Sequence, residues 1–536
     1  MKRRDLLASA SALPLFLSGC GKPPTEITGE FTGIAHDRGH LLREPRSWPA
    51  PSRVYKTQVV IAGGGVAGLA AARALRLRGV QDHALLELED SAGGNSRGGV
   101  VNGIPCPLGA HYLPVPGDAA PEVQDLLEEL GLRQRVAGRW VYDERHLCHS
   151  PQERLFLHGH WQEGLLPVQG VSETTLAQYR RFARAVREAQ AKARYTLPVQ
   201  HGAAAPAHLA LDAITFDTWL TQQGLSDPYL RWYLDYCCRD DYGAGLGAVS
   251  AWAGLHYFAS RHGFHAPGEA EGERTMEREG VLTWPEGNGW LTQRLAAPLG
   301  ERLHTGRVIL RIAEARHGVE VDAWNVASQT VERWQAERCI VALPAFVAAR
   351  VMQSPPEFLR TAARATRYAP WLVANLHLKE PLIDHPGAAP SWDNVIYSEQ
   401  PSTSLGYVDA MHQSLRSVPG ATVLTCYQAL GDLPEGRQHL LAQPWSHWRD
   451  RVVAELLGPH PDLLQRATRM DITRYGHAMP VPVPGTLARL KRLPWARIAP
   501  HRAVLRTGRL SYAHSDWSGY SVFEEAFTQG DAVGRE

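Results

Sequence analysis

Three glycines open the chemistry of this chain. In "TQVVIAGGGVAGLAAARALRLRGV", Gly63, Gly65 and Gly68 fall in the spacing G-x-G-x-x-G. The first permits a tight turn, the second lets backbone approach a pyrophosphate, and the third lets a helix pack closely on a strand. The N–H groups of a helix beginning at Val66 and Ala67 would meet the phosphates with the positive end of its dipole. A carboxylate is then needed for the ribose hydroxyls. Glu87 stands nineteen residues past Gly68 and ends the strand expected in "HALLELED". An acid in that place, rather than an arginine, argues against a 2′-phosphate and so against NADP.

A lone glycine motif says little, so its setting decides. Val59 to Ala62 is β-branched and predicts a strand, the glycines a turn, and Val66 to about Arg78 a helix that leads into a second strand. Six residues after Glu87 comes a second pair, Gly93 and Gly94. A second loop able to approach phosphate fits a longer, extended ligand that runs deeper into the protein.

This stretch, "LELEDSAGGNSRGG", resembles the E-x-x-x-x-x-G-G-R of the flavin-containing amine oxidase superfamily. Asn95 stands at the arginine of that pattern, and Arg97 is the candidate to replace it. "PLGAHYLPVPGDAAPEVQDLLEELGL" is similar to the superfamily's next segment, which implies that Gly109, Ala110, His111 and Tyr112 run beside the flavin ring. "WPEGNGWLTQRLAAPLGERLHTGRVILRI" resembles the helix and strand whose valine, here Val308, meets the adenine. "ERCIVALPAFVAARVM" matches V-x-A-x-P, and its apolar run suits a strand buried on both faces. In "GRLSYAHSDWSGYSVFEEAFTQGDAVGRE" a strand, Leu510 to His514, precedes a helix that starts near Ser521 or Val522. The resemblance assigns Asp516 to the ribityl chain, and Ser521 and Val522 to the flavin pyrimidine, where a helix N-terminus stabilises negative charge. It implies FAD, held non-covalently because no cysteine lies near "RYGHAMPVPVPG".

The fold that would position these residues is α/β and two-lobed. A Rossmann-like nucleotide domain is expected in three pieces, 57–139, 284–352 and 495–536. A substrate domain is spliced between them, helical over 140–283 and sheet over 353–494. The resemblance implies an aromatic pair flanking the substrate. Trp517 and Tyr520 are the candidates, with Tyr520 the catalytic one. Asp240 and Asp241 in "CCRDDYG" would attract a cationic amine. Val373 stands where many amine oxidases have a lysine that holds water at flavin N5. The expected reaction is hydride transfer from an amine or polyamine to N5, with oxygen or a quinone as acceptor. Two alternatives stand beside it: a desaturase or isomerase acting on an apolar substrate, and a flavin-binding electron-transfer partner without its own small substrate. Aromatics around a carboxylate would favour the amine, a long apolar tunnel the desaturase.

Composition excludes other classes. The 536 residues carry a formal charge of +1, so no basic face for nucleic acid is implied. The six cysteines beyond Cys20 form no C-x-x-C and the 24 histidines are scattered, so neither a metal site nor an essential disulfide is expected. The opening "MKRRDLLASASALPLFLSGCGK" pairs a twin arginine, Arg3 and Arg4, with an apolar run and the lipoprotein-type box "LSGC". That run is shorter than the ~20 residues a spanning helix needs. Residues 1–19 therefore read as a removable signal for the twin-arginine export machinery, which carries folded, cofactor-loaded proteins. Cys20 becomes the acylated anchor on the periplasmic side, and 20–56 a tether and arm.

Overall fold

The computed structural model describes residues 26–44, 46–148, 152–202, 204–261, 263–269, 280–499 and 502–536. The signal segment and Cys20 lie outside the described residues. Two sheets organise the rest. In the first, five strands run parallel in the order Leu303–His304, His83–Leu86, Arg53–Ala62, Thr330–Val341 and Leu510–Tyr512. Their centres are the apolar runs that the sequence marks. Val59, Val60, Ile61, Cys339 and Ile340 are all fully buried. The helix Val66–Leu77 lies on this sheet, and the helix Phe523–Gly534 lies on that helix. A Cβ on Gly530 would come 2.0 Å from the Ala67 carbonyl oxygen, so only glycine lets the two backbones approach this closely.

The second sheet has seven strands among the described residues, beginning with Ala467–Val481, Arg367–Leu378 and Thr422–Ala429. Helices Glu173–Lys192, Pro228–Tyr242 and Ala251–Ala259 pack on it through a core that includes Phe182, Phe216 and Tyr242. The Pro228–Tyr242 helix is tightly started: the Asp227 side chain accepts from the Leu230 N–H, and proline fills the first turn. Its last turn carries Asp240 and Asp241.

Two features differ from the sequence expectation. The stretch expected to be helical contains a hairpin, Glu153–Leu157 with His160–Glu163, which joins the second sheet beside Asp393–Ile396. Its turn, His158-Gly159, has both φ angles positive, the geometry that two-residue hairpins favour. The arm also has regular contacts: Thr28 and Phe31 bridge to Arg469 and Ile472 at the edge of the second sheet. Among the described residues no helix is long and apolar enough to cross a membrane.

Candidate active site

A cavity of about 420 Å³ runs between the two lobes, and its two ends differ in construction. The first end is mostly backbone. Gly63, Gly65, Ala67, Gly93, Gly94 and Val308 all line it. Gly68 lies beneath, where a Cβ would come 1.9 Å from the Gly63 carbonyl oxygen. Gly65 is different: its nearest neighbour would be the Cα of Gly94, at 4.0 Å, so the space above it is open. Gly65 and Gly94 thus leave a cradle that a side chain would fill, at the N-terminus of the Val66–Leu77 helix. That suits a phosphate.

Glu87 borders this cradle. Its Oε2 accepts from the Gly64 N–H and its Oε1 from the Glu89 N–H, each at 2.8 Å. Burial pushes its pKa up, while these two N–H groups and Arg97 oppose the shift. Further along, Asp516 Oδ2 accepts from the Ala345 N–H at 2.8 Å and from the Tyr368 hydroxyl. Its Oδ1 is buried without a hydrogen bond, 3.1 Å from His514 Nδ1. Burial alone would raise this carboxyl, but His514, the Ala345 N–H and Tyr368 outweigh it and hold the group below its ordinary value. An ionised acid with an unused oxygen suits a ligand hydroxyl. Ser521 and Val522 line the cavity just ahead of the Phe523–Gly534 helix, whose first-turn N–H groups have no intrahelical acceptors. Cradle, acid and helix end together fit FAD.

Asn95 reaches the cavity, and its amide donates to the Ala478 carbonyl. Arg97 does not reach it. Its guanidinium donates to the Gly33 carbonyl of the arm and lies 3.6 Å from Glu89, which draws it away from the phosphate cradle. The expected replacement of the missing arginine is therefore not formed by Arg97.

The second end is built from side chains. Gly109, Ala110, His111 and Tyr112 line it, and the Gly109 carbonyl accepts from the Tyr427 hydroxyl at 3.0 Å. His111 stacks on Tyr427 with ring centroids 4.6 Å apart and lies 5.3 Å from Trp392. Burial pushes its pKa down to about 3, so the imidazole is neutral. Val373 forms part of the same wall. Asp240 and Asp241 enter from the end of their helix, but they are not equivalent. Asp241 is 3.0 Å from Arg261 and accepts from the Tyr520 hydroxyl. Asp240 faces the cavity and has no hydrogen bond or ion pair among the described residues. Burial first, and then the charge of Asp241, push its pKa up to about 7.

The two aromatic candidates are off the cavity surface. Tyr520 is 1% exposed and sits behind Asp241 and Arg261, hydrogen-bonded to both. Trp517 is 2% exposed and packs against Phe358 and Tyr512 in the core of the nucleotide lobe. Instead the wall contains Arg261, Glu524, Tyr368 and Tyr427, none of which sequence reasoning singled out. Arg261 lies in "ASRHG" and Tyr368 in "TRYAP", stretches that carry no motif. Glu524 had a faint signal, an acid in the first turn of a helix. Burial pushes its pKa up to about 7.

Comparison with known proteins accords with this geometry. The profile described as flavin containing amine oxidoreductase matches residues 66–533. An L-amino acid dehydrogenase of Synechocystis sp. is 29% identical over 161 residues, which are 30% of this chain. The match spans only 31% of that relative's length. A putrescine oxidase bound to putrescine superposes with a TM-score of 0.65 at 17% identity, covering 90% of this chain and 99% of its own. A CLA-producing fatty acid isomerase from P. acnes does so with a TM-score of 0.59 at 14% identity, covering 89% and 97%. These two share the fold and differ in chemistry, so fold alone does not choose a substrate. With the family matched from Val66 to Val533 and a cavity that fits the cofactor, the chain belongs to the flavin-containing amine oxidoreductases and its cofactor is FAD.

Proposed function

We propose that the protein oxidises a cationic amine, and that Asp240 is the group that receives it. One observation carries the reading: a cavity-facing carboxylate with no hydrogen bond or ion pair among the described residues, placed in the last turn of a helix. That placement opposes the helix dipole and costs about 0.3–1 kcal/mol, so it calls for a compensating cation. Arg261 compensates Asp241 but leaves Asp240 open. An ammonium group there would be flanked by the His111–Tyr427 wall, whose faces attract cations. FAD, when bound, supplies the hydride acceptor. Asp240 does the proton work. With its pKa near 7 it can take a proton from the bound ammonium, leaving the nitrogen lone pair free to form C=N as the α C–H bond breaks. Neutral His111 adds no opposing charge.

Arg261 motivates a second reading, in which the amine is an α-amino acid whose carboxylate this cavity-lining guanidinium receives. The partial match to an amino acid dehydrogenase supports it. A carboxylate at the cavity wall disfavours the desaturase or isomerase alternative. Anaerobic bleaching of the bound flavin by diamines, monoamines, L-amino acids and unsaturated fatty acids decides among these. Amines should bleach it, and Asp240→Asn should slow them. Bleaching by amino acids alone, abolished in Arg261→Gln, would favour the second reading, and bleaching by fatty acids alone would sink both.

We further propose export in the folded state with an acyl anchor at Cys20, and oxygen or a quinone as the acceptor. The support for export is the twin arginine together with a cavity that needs both Gly63 and Asp516, residues far apart in the chain. Arg3→Lys/Arg4→Lys should leave FAD-loaded protein in the cytoplasm. Normal periplasmic holoprotein in that variant would point to the general secretory route.

A further inference from the structure

A second, open groove of about 1110 Å³ adjoins the cofactor cavity, and Tyr368 is the one residue among those described that lines both. Tyr368 also donates to Asp516, the acid that suits the cofactor's hydroxyls. The groove contains three arginines. Arg367 donates to the Gly431 carbonyl and lies near Asp432, whose carboxylate accepts from the Gly245 N–H at 2.8 Å. Arg43 and Arg437 are different. Neither side chain has a hydrogen bond or an ion pair among the described residues, although Arg437 is only partly exposed. They repel each other, and burial and Arg43 together push the Arg437 guanidinium down. His40 and His477 stand beside them, and His477 faces the cofactor cavity. Among the described residues, the acid lining the groove apart from Asp432 is the exposed Glu435.

An unpaired, partly buried guanidinium beside a second one is unfavourable unless an anion arrives. A flavoenzyme also runs two half-reactions, and electrons taken from the donor must leave. We propose that this groove docks an anionic electron acceptor, with Arg43 and Arg437 as the charges that hold it. The inference rests on the FAD assignment and not on the choice of donor. Two electrons and two protons leave the reduced cofactor. With ferricyanide as probe, two molecules each take one electron to become ferrocyanide, and the protons pass to solvent.

The test starts from holoprotein photoreduced without any amine, so that a failed donor assignment does not affect it. At low salt, Arg437→Glu and the milder Arg43→Gln/Arg437→Gln should lower the second-order rate constant with ferricyanide about tenfold or more. The loss should shrink at high salt as the charges are screened. Reoxidation by oxygen, which is neutral, should stay unchanged. Calorimetry of the oxidised holoprotein should find ferrocyanide binding to the parent and not to the double variant. Should Arg437→Glu fail to fold, the glutamine pair decides. An unchanged ferricyanide constant, an equal loss with oxygen, or loss of FAD from the glutamine pair would each overturn the proposal.

Discussion

The two ends of the cavity are made of different materials. At the phosphate end the working groups are mostly main-chain N–H groups and the spaces that glycines leave, fixed by contacts as close as that of Gly68 with the Gly63 carbonyl. At the donor end they are side chains from separate elements: Arg261 is held by Asp241 and Tyr520, Tyr427 by the Gly109 carbonyl, and Asp240 stands open to the cavity. Backbone sites tolerate almost no change of residue type, because the type sets the path of the chain. Side-chain sites can be retuned one residue at a time.

The sharpest test compares two glycines three residues apart. Gly68→Ala should prevent folding or cost about 3 kcal/mol or more, since its Cβ meets a carbonyl that cannot move. Gly65→Ala should leave the cofactor-free protein as stable as the parent yet bind FAD at least about tenfold more weakly. Thermal melts with and without added FAD separate the two. Equal destabilisation would erase the distinction between structural and phosphate-facing glycines.

A crossed pair comes next. Glu87→Ala should weaken FAD by about ten- to a hundredfold, the value of a charge-assisted hydrogen bond, and leave the amine constant of fully loaded enzyme alone. Asp240→Asn should do the reverse: normal FAD content, with amine binding weakened about as much. Flavin titration and anaerobic amine titration of both variants test this. A change in both constants for either variant would show that the ends are coupled.

Smaller effects follow from protons. The Asp240 pKa of about 7 in the folded protein lies above its ordinary 3.8, so the folded state holds an extra proton between these values. Its contribution is fully unfavourable above pH 7 and vanishes below about pH 4. Denaturant melts should therefore find Asp240→Asn more stable than the parent at pH 8, with the gap closing as the pH falls to about 4. Equal stability at pH 8 would mean that Asp240 is not held near 7. The smallest effect is expected at Tyr520. Because it acts through Asp241 and Arg261, Tyr520→Phe should raise the amine KM only about two- to tenfold, and leave kcat unchanged. A collapse of kcat would place the phenol in contact with substrate after all.

This contrast also explains what could be read in advance. Gly63, Gly65, Gly68 and Glu87 lie close together in sequence because one strand, one turn and one helix build their site, so spacing carries the geometry. Asp516 and the helix after it were legible by resemblance for the same reason. The donor end draws on a helix near Asp240, the Arg261 that follows the next helix, and a strand bearing Tyr427. No spacing links these, so Arg261 and Tyr427 stayed invisible. Trp517 and Tyr520 show the converse. "WSGY" marks aromatics in sequence, but burial against Phe358 and behind Asp241 removes both from the cavity surface. The Glu153–Leu157 hairpin was hidden because five residues of alternation weigh little beside the long helices around it.

The close fit between the helix Phe523–Gly534 and the helix that follows the first glycine turn has a further consequence. A chain interrupted by a stop codon before residue 523 would keep the complete G-x-G-x-x-G motif and lack the surface that covers it. The last stretch of translation thus serves as a completeness check. Truncated products would expose the backbone of Ala67 and Ala71, which Gly530 and Gly534 otherwise cover, and would stay empty and open to proteolysis. In a cell, yellow colour would then report full-length synthesis as well as cofactor supply.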